Sequence, residues 1–417
     1  MKKVLIISYF YPPLGGPGAL RILGFTKYLP KNGWKPYVIS VKNPDRYFDI
    51  KGKEKVPEDI KVYYTKNILP LGWAQLGMEK YFGIKNFYSI PDIYIGWLIP
   101  TMLKAKKIIK KENIDLIFTS SLPWTSSLIG VLLKKLTKKP LVIEFRDAWS
   151  FNPHITYTMK THQWFNTHLE SFVLKNLDHL ITVTPGMING YVNKRPDLKN
   201  RISLIYNGFD PNDFQFKETK SFDKFTIIYT GSFYGLRSPE LFFRGLRKVI
   251  SKKIILKNEM QVLLVGHKTK FVEKLIEKYN LKEIVNYKDF VLVKEANRYI
   301  LKSQMLLLII GDDERAKSHV LTGKVFQYLA TGKPILALVP KGDASEMIQK
   351  YSDNSYIISD YDNIDKIAEA IYDCYTKWKE GKLNKKISKK TIEFRKKFNR
   401  EVETKQLAEI FDKVMAG

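Results

Sequence analysis

The sequence predicts an α/β protein with two doubly wound parallel sheets. Short apolar runs with β-branched residues, typical of buried parallel strands, alternate along the chain with stretches of helical spacing. The first unit runs from a strand at residues 4–8 through a loop rich in Gly and Pro to a helix at 19–29, and a strand follows at 36–41. The 417 residues exceed one ordinary core and suit two or three domains.

The predicted strands fall into two consecutive sets along the chain. Between strands that would be parallel neighbours, the chain is long enough for a crossover helix. The clearest helices are those at 125–136, between two strands, and at 402–414, an amphipathic stretch near the end of the chain. The first set also contains strands at 116–120, 141–145, 179–184 and 202–206. The second contains strands at 225–230, 262–266, 284–287, 305–309 and 335–338.

The composition suits a folded chain with a strongly basic surface. Apolar residues make up 44% and charged residues 27%, which excludes a disordered protein. The 70 Lys and Arg residues against 42 Asp and Glu leave a net charge of +28. Such a charge indicates either lysines that are simply solvated or an anionic partner, namely membrane lipid, nucleic acid or a phosphorylated ligand.

The chain is expected in a reducing compartment. Its single cysteine, Cys374, excludes an intrachain disulfide and the usual zinc sites with several cysteines. The first apolar run lacks the length and the cleavage site of a signal peptide, and no stretch approaches the ~18 apolar residues of a transmembrane helix. We therefore expect a cytoplasmic protein.

Candidate site residues are sought in the loops that follow the strands, because ligands of doubly wound folds bind outside the carboxyl ends of the strands. After the first strand, Gly15 and Gly16 would let backbone N–H groups approach an anion at the start of a helix. Arg21 could supply positive charge one turn further on. The turn is neither a dinucleotide fingerprint nor a P-loop, and a tight strand–helix connection is the alternative explanation.

Charged residues also follow the apolar strand at 141–145, where Arg146 and Asp147 begin the next loop. Stability gains little from charges at such a position, so the pattern favours a functional role. An internal ion pair between the two side chains is the alternative.

Two loops of the second set place cations at predicted helix starts. Gly231 ends a buried strand, and Arg237 stands just before a helix N-terminus. Further along, Thr322 caps a predicted helix, and Lys324 is a compact cation in its first turn. Helix N-termini and such cations both favour a phosphate.

A series of motifs along nearly the whole chain resembles a known family. They are Tyr9-Phe10-Tyr11-Pro12-Pro13 with Gly15-Gly16 and Arg21, Pro91-Asp92 with Trp97, Ser120-Ser121-Leu122-Pro123, Phe145-Arg146-Asp147-Ala148-Trp149, Tyr206-Asn207-Gly208-Phe209-Asp210, Gly231-Ser232 with Arg237-Ser238-Pro239-Glu240, and Thr322-Gly323-Lys324-Val325-Phe326-Gln327-Tyr328-Leu329-Ala330. In this order and spacing they resemble the retaining glycosyltransferases of the GT-B fold, in particular family 4 (glycosyl transferases group 1).

The resemblance implies two Rossmann-like domains that face each other across a cleft. Residues 1–210 would form the acceptor-side domain, 211–224 a linker and 225–385 the domain that binds the nucleotide sugar. Residues 386–417 would form a C-terminal helical segment whose helix crosses back to the first domain.

The resemblance also implies how a donor would be held. Arg237 and Lys324 would grip its diphosphate and offset the charge that develops as the sugar–phosphate bond breaks. A UDP-sugar is the favoured donor. No metal and no cofactor are expected, because the cations do the metal's work. The donor-binding residues implied are Gly15, Gly16, Gly231, Ser232, Leu292, His319, Thr322, Gly323 and Gln327.

The acceptor side is implied in the same way. Asp147 would contact the acceptor near the reacting sugar and is the third predicted catalytic residue, while Arg146 and Arg21 would help to bind the acceptor. The acceptor expected is a saccharide or a lipid-linked sugar in the synthesis of cell-envelope polysaccharide or a glycoconjugate. The resemblance gives no covalent nucleophile.

The chain departs from the family at one pair of positions. The family usually carries two glutamates with seven residues between them, and His319 and Gln327 stand at those positions here. Glutamine can accept the hydrogen bonds of ribose hydroxyls, though without the strength that charge gives. Weak activity, an altered donor or a lost catalytic function are all compatible with this change.

A basic helix face in the first domain predicts contact with a membrane. The stretch at 98–109 has apolar residues at helical spacing, and lysines cover much of the rest. Each lysine near an anionic bilayer contributes about 1 kcal/mol. A solvated helix face is the alternative. The lysines are Lys104, Lys106, Lys107, Lys110 and Lys111.

Three other functions stay open. A non-catalytic GT-B scaffold is favoured by Gln327, and a sugar-nucleotide epimerase would use the same fold. A nucleic-acid-binding protein would account for the charge, although no helix-turn-helix, RNA-recognition or zinc motif is present in the sequence.

Overall fold

The computed structural model describes residues 1–42, 56–69, 90–152, 155, 157, 159–214, 220–233, 237–252, 254–311, 320–360, 363–383 and 387–417. The chain divides into two compact units. Unit 1 consists of Met1–Tyr206 and Arg400–Gly417, and unit 2 consists of Asn207–Asn399.

Unit 1 is built on a parallel sheet. The order of its strands is β3-β2-β1-β4-β5-β6-β7, and all pairings found among the described residues are parallel. The strand order reverses between β1 and β4, which is where doubly wound folds bind ligands. The strands are β1 (Lys2–Ile7), β2 (Trp34–Val41), β3 (Lys61–Thr65), β4 (Leu116–Ser121), β5 (Leu141–Phe145), β6 (His179–Thr182) and β7 (Ile202–Leu204).

Helices cover both faces of this sheet, because successive strand residues alternate between two cores. In β1, Leu5 and Ile7 face one core, whereas Val4 and Ile6 face the other. The helices of unit 1 are α1 (Pro17–Tyr28), α2 (Leu98–Glu112), α3 (Thr125–Thr137), α4 (Lys160–Asn176), α5 (Pro185–Lys194) and the C-terminal α13 (Arg400–Ala416).

The C-terminal helix α13 returns to unit 1, as the sequence predicted. Its buried Phe411 packs edge-on against Trp34 and Phe118, with ring centroids 5.2 Å and 5.4 Å apart. Lys2 and Trp34 both donate hydrogen bonds to Asp412. The apolar stripe of the helix therefore completes the second core of the sheet.

Unit 2 repeats the same architecture. Its parallel sheet has the order β10-β9-β8-β11-β12-β13, so the strand order reverses between β8 and β11. The strands are β8 (Phe225–Thr230), β9 (Met260–Val265), β10 (Val285–Lys288), β11 (Met305–Ile309), β12 (Ile335–Leu338) and β13 (Ser355–Ile358). The helices are α6 (Glu240–Ser251), α7 (Lys270–Lys278), α8 (Val293–Lys302), α9 (Gly323–Thr331), α10 (Asp343–Tyr351), α11 (Ile364–Lys379) and α12 (Lys389–Lys397).

The segment 386–417 contributes to both units rather than forming one piece. Phe394 and Phe398, at α12, pack against Phe326 and Tyr351 of unit 2. The chain enters unit 1 only at Arg400. Among the described residues, no helix is both long enough and apolar enough to cross a bilayer.

Candidate functional site

Arg146 joins three strand-to-helix loops of unit 1. Its Nε donates to the carbonyl of Ser121 and its Nη2 to the carbonyl of Leu122, each at 2.9 Å. A Cβ placed on Gly18 would lie 2.0 Å from Nη1, so the guanidinium fills the space beside the start of α1. The half-buried Arg146 thus holds the loops after β1, β4 and β5 together. Two of its N–H groups are used within the protein, so fewer N–H donors remain for the predicted contact with an acceptor.

Asp147, the next residue, has a different environment. Its side chain is half-buried. No described residue donates a hydrogen bond to its carboxylate or forms an ion pair with it. The carboxylate therefore retains its capacity to accept hydrogen bonds from sugar hydroxyls. This arrangement is compatible with the predicted role of Asp147 as an acceptor contact.

Buried side chains from α4 and α5 fix the loop that carries Asp147. The Trp149 backbone N–H donates to the Tyr191 hydroxyl at 3.0 Å, and the Trp149 indole donates to Asn166 Oδ1 at 3.0 Å. Glu170 accepts from the Ser150 backbone N–H and from the Tyr191 hydroxyl, both at 3.1 Å. The sequence does not reveal these positioning residues, because their loop partners lie 17–42 positions away along the chain.

The surroundings of Arg21 disfavour its predicted role in acceptor binding. Its side chain is buried, with Nε donating to Glu144 at 2.9 Å and Nη1 and Nη2 donating to the carbonyls of Tyr206 and Ile205. An arginine so enclosed stabilises the fold, since removing it would strand the buried carboxylate of Glu144. The sequence could not show this, because Glu144 is 123 positions away.

The glycine turn after β1 leaves the start of α1 accessible. Gly16 has φ 92° and precedes the first helical residue, and a Cβ there would meet nothing within 4 Å. Among the described residues, no side chain caps the helix, and its first turn has no acidic residue. This geometry is compatible with the predicted approach of an anion to the backbone of Gly15 and Gly16.

In unit 2, Lys324 and Arg237 form a group of cations at the end of β8. Lys324 Nζ lies 3.9 Å from the centroid of the Tyr229 ring. Burial, and next the charge of Arg237, lower the pKa of Lys324 well below its ordinary value. Among the described residues, no carboxylate pairs with the Lys324 ammonium. A half-buried cation beside a second cation is stabilised by an anion, and a diphosphate supplies one.

Gly231 provides the room that Lys324 occupies. Its φ is +115°, and a Cβ there would lie 3.1 Å from Lys324 Nζ. Close by in sequence, the Ser232 carbonyl accepts from the Tyr229 hydroxyl at 3.3 Å. The glycine is therefore required both by the backbone conformation and by the neighbouring ammonium.

The start of α9 presents further polar groups. The Thr322 hydroxyl is buried, and no hydrogen-bond partner for it lies among the described residues. A Cβ on Gly323 would meet nothing within 4 Å. Gln327 is half-buried one turn after Lys324. The group Gly231, Lys324, Thr322, Gly323 and Gln327 thus gathers where β8 ends and α9 begins.

Of the other predicted donor residues, one stands apart from this group and one cannot be placed in it. Leu292 precedes α8, 44% exposed, after the edge strand β10. His319 lies outside the described residues. The described residues contain no group of three or more His, Cys, Asp or Glu that could hold a metal ion.

Comparison with known proteins confirms the predicted family resemblance and fold. Residues 19–213 match the sequence model of Glycosyltransferase Family 4. No curated protein sequence matches the chain at a significant level.

Solved structures of the GT-B fold resemble the whole chain. Sucrose-phosphate synthase from Thermosynechococcus elongatus has a TM-score of 0.71 at 15% identity, with 100% of both chains covered. HepE of Anabaena, solved in complex with UDP, has a TM-score of 0.65 at 16% identity, covering 99% of this chain and 100% of its own. The UDP-GlcNAc 2-epimerase of Methanocaldococcus jannaschii has a TM-score of 0.57 at 13% identity, covering 99% and 100%.

Proposed function

We propose that this chain, a glycosyltransferase by its match to family 4 over residues 19–213, transfers a sugar from a UDP-sugar to a saccharide or lipid-linked acceptor. The observation that carries the donor assignment is the half-buried ammonium of Lys324. It lies beside Arg237 and lacks a described carboxylate partner. HepE of Anabaena, which has the same fold, was solved with UDP.

Unit 2 binds the donor in this proposal. Lys324 and Arg237 hold the diphosphate, and Thr322 offers its hydroxyl and Gly323 its backbone N–H at the start of α9. As the bond between the anomeric carbon and the phosphate oxygen breaks, the leaving diphosphate keeps the electron pair. The two cations offset the added charge, so they stabilise the transition state more than the bound donor.

Unit 1 holds the acceptor. An acceptor hydroxyl donates a hydrogen bond to the Asp147 carboxylate. As the hydroxyl oxygen forms the new bond to the anomeric carbon, its proton passes to that carboxylate. The loop around Asp147 is fixed by Tyr191, Asn166 and Glu170 before the substrate arrives. Such preorganisation lowers the cost of orienting the acceptor.

Retention of the anomeric configuration and transfer without a metal ion are part of this proposal. So are a cytoplasmic location, a lipid-linked acceptor of cell-envelope polysaccharide or glycoconjugate synthesis, and attachment to the inner face of the membrane. The net charge of +28 supports attraction to anionic lipid.

The first test is ligand-dependent thermal stabilisation by nucleoside diphosphates and nucleotide sugars. A ligand at 100 times its Kd should stabilise unit 2 by about 2.7 kcal/mol. We expect UDP to raise the Tm of the wild type and of the control variant Lys278→Met. Lys278 is an exposed lysine that pairs with Glu240. We expect no such rise in Lys324→Met or Arg237→Gln.

The products of the reaction separate the remaining alternatives. A sugar transferred to an acceptor supports the proposal. A UDP-sugar converted to its epimer without any acceptor would assign an epimerase, the activity named for the M. jannaschii protein. UDP binding without turnover of any donor would assign a scaffold in which Gln327 marks the lost activity. No nucleotide binding, but salt-sensitive duplex binding, would assign a nucleic-acid-binding protein.

A further inference from the structure

The lysines of the predicted basic face lie largely at the opposite edge of the unit 1 sheet from Asp147. Lys3 Nζ, at the start of β1, donates to the carbonyl of Glu112, the last residue of α2. Lys61, the first residue of β3, pairs with the Glu112 carboxylate. Hence the C-terminal half of α2, which carries Lys106, Lys107, Lys110 and Lys111, lies at the amino ends of the strands.

The lysines of α3 lie at the same amino edge. Asp178 accepts from Lys134 of α3 and from the backbone N–H of Leu141, the first residue of β5. Asp147 follows the last residue of β5 and so lies at the carboxyl edge. A membrane contact through these lysines would therefore face away from the acceptor side.

Exposed apolar side chains instead gather at the start of α4. Met159 is 52% exposed, Trp164 54% and Phe165 49%. Although Met159 is not aromatic, we call these three residues together the aromatic end of α4. Asn166, next to Phe165, accepts the hydrogen bond of the Trp149 indole, two residues after Asp147. The aromatic end therefore lies at the same edge of the sheet as Asp147.

A second apolar group lies at this carboxyl edge. Ile68 and Leu69 follow β3 and are 55% and 45% exposed, and Ile99 in the first turn of α2 is 56% exposed. The Ile68 backbone N–H donates to the carbonyl of Gly96, which connects the loop to the start of α2. Large exposed apolar side chains at one edge of a soluble unit mark an interaction surface.

The charges at this edge suit an anionic bilayer. In the described parts of the loops that lead from a strand to the next helix of unit 1, Asp147 is the only carboxylate that is not buried. Lys66 and Lys160 are exposed there. The stretch 159–169 contains no acidic residue. Anionic headgroups are thus attracted rather than repelled.

A bilayer is a better occupant than a second copy of the chain. The net charge of +28 makes two copies repel each other, whereas the same charge draws the protein to anionic lipid. Trp164 also has the amphipathic ring that is favoured at the headgroup level. Its ring lies against the exposed His168, with centroids 3.9 Å apart.

We propose that the aromatic end of α4, together with Ile68, Leu69 and Ile99, inserts into the interface of an anionic membrane. This docking surface rests on the proposed function and names the partner of its acceptor side. It places the edge that carries Asp147 against the bilayer, where a sugar linked to a lipid presents its hydroxyls. The acceptor class is therefore a lipid-linked saccharide.

The test measures binding of the full chain to vesicles of phosphatidylcholine with about one-third phosphatidylglycerol. We expect Trp164→Ser with Phe165→Ser to bind at least about tenfold more weakly, because each large aromatic side chain loses favourable burial. The matched control is Lys107→Gln with Lys110→Gln and Lys111→Gln, which removes charge at the opposite edge. We expect it to keep most of the binding.

Insertion has its own optical signature. Lipids brominated in the acyl chain should quench the tryptophan fluorescence of the wild type. Trp164→Phe should keep most of the binding and lose most of the quenching. Equal binding of the aromatic double variant and the wild type would overturn the proposal, as would loss of binding in the lysine variant alone or no binding to these vesicles.

Thermal stabilisation by UDP, measured on the same variants, separates this proposal from the proposed function. The surface substitutions lie in unit 1 and should leave the UDP effect unchanged, which also shows that the variants fold. Vesicle binding without any UDP effect would support the surface and count against the transferase. A UDP effect without vesicle binding would support the transferase and overturn the proposed membrane surface.

Discussion

Lys324 Nζ lies over the ring of Tyr229, 3.9 Å from its centroid, at the point where the central strand of unit 2 ends. The aromatic face offers the half-buried ammonium partial compensation for the water that it has lost. The ring carries no negative charge, so it does not replace an anion beside Lys324 and Arg237. This relationship makes Lys324 the most informative residue for the donor assignment.

Replacing Lys324 by Met should abolish stabilisation by UDP without weakening the free protein. The lowered pKa of Lys324 means that the unfolded chain binds this proton more tightly than the folded chain does. The contribution of Lys324 to the free energy of unfolding therefore increases with pH. The increase occurs between the pKa of Lys324 in the folded chain and its higher pKa in the unfolded chain. At pH 7 we expect Lys324→Met to have a Tm equal to or above that of the wild type, with no UDP effect, as measured by differential scanning fluorimetry. A large fall in the Tm of the free variant would contradict this explanation.

Gly231→Ala should disturb the same site by a different route. The added Cβ would lie 3.1 Å from Lys324 Nζ and would force a φ of +115° on an alanine. We expect a stability loss of about 1–2 kcal/mol and weaker UDP binding. Gly381→Ala is the matched control, since Gly381 has φ +65° and nothing within 4 Å of its Cβ position. Denaturant unfolding and a UDP titration of both variants test this, and equal UDP affinity in the two would count against the role of Gly231.

Tyr191→Phe should loosen the loop that carries Asp147. The hydroxyl accepts from the Trp149 backbone N–H and donates to Glu170, so its removal leaves a buried donor unpaired. We expect a loss of about 1–3 kcal/mol in unfolding free energy. Transfer to the acceptor should become slower, while UDP stabilisation stays unchanged. Tyr299→Phe, at a tyrosine that donates to Glu295 on the surface of unit 2, is the control. If Tyr191→Phe turned over at the wild-type rate, the positioning role would be refuted.

Glu403→Gln should flatten the pH dependence of stability. Burial raises the pKa of Glu403 to about 8, and the charges of Arg21 and Arg400 only partly oppose this rise. The folded chain therefore binds this proton more tightly than the unfolded chain. The contribution to stability is present below the unfolded pKa of 4.5 and declines as the pH rises to about 8.

The expected slope is of the order of 1.4 kcal/mol per pH unit within this window. Thermal unfolding at pH 6 and pH 9 should show a smaller difference for Glu403→Gln than for the wild type. Glu401→Gln, at an exposed residue paired with Lys31, should behave like the wild type. A wild-type slope in Glu403→Gln would show that another group titrates.

Local pattern was sufficient for most of the buried strands. The strands predicted at 141–145, 225–230, 305–309 and 335–338 agree with β5, β8, β11 and β12 in their bounds. All four are mostly apolar runs, as expected of strands that are buried on both faces. β3 and β13 were not predicted. Both are edge strands, and their partly exposed faces carry polar residues that weaken the apolar signal.

The fold class, the family resemblance and the cations at the helix starts of unit 2 are predictable from the amino-acid sequence alone. Each of these depends on periodicity or on a short motif, and both are local along the chain. The pairing of Arg21 with the buried Glu144 becomes visible only in the folded chain. The same is true of the position of the lysines at the end of α2 and of Asp147 at opposite edges of one sheet. The physical reason is that burial and ion pairing depend on residues brought together from distant parts of the chain, as Glu403 is brought to Arg21.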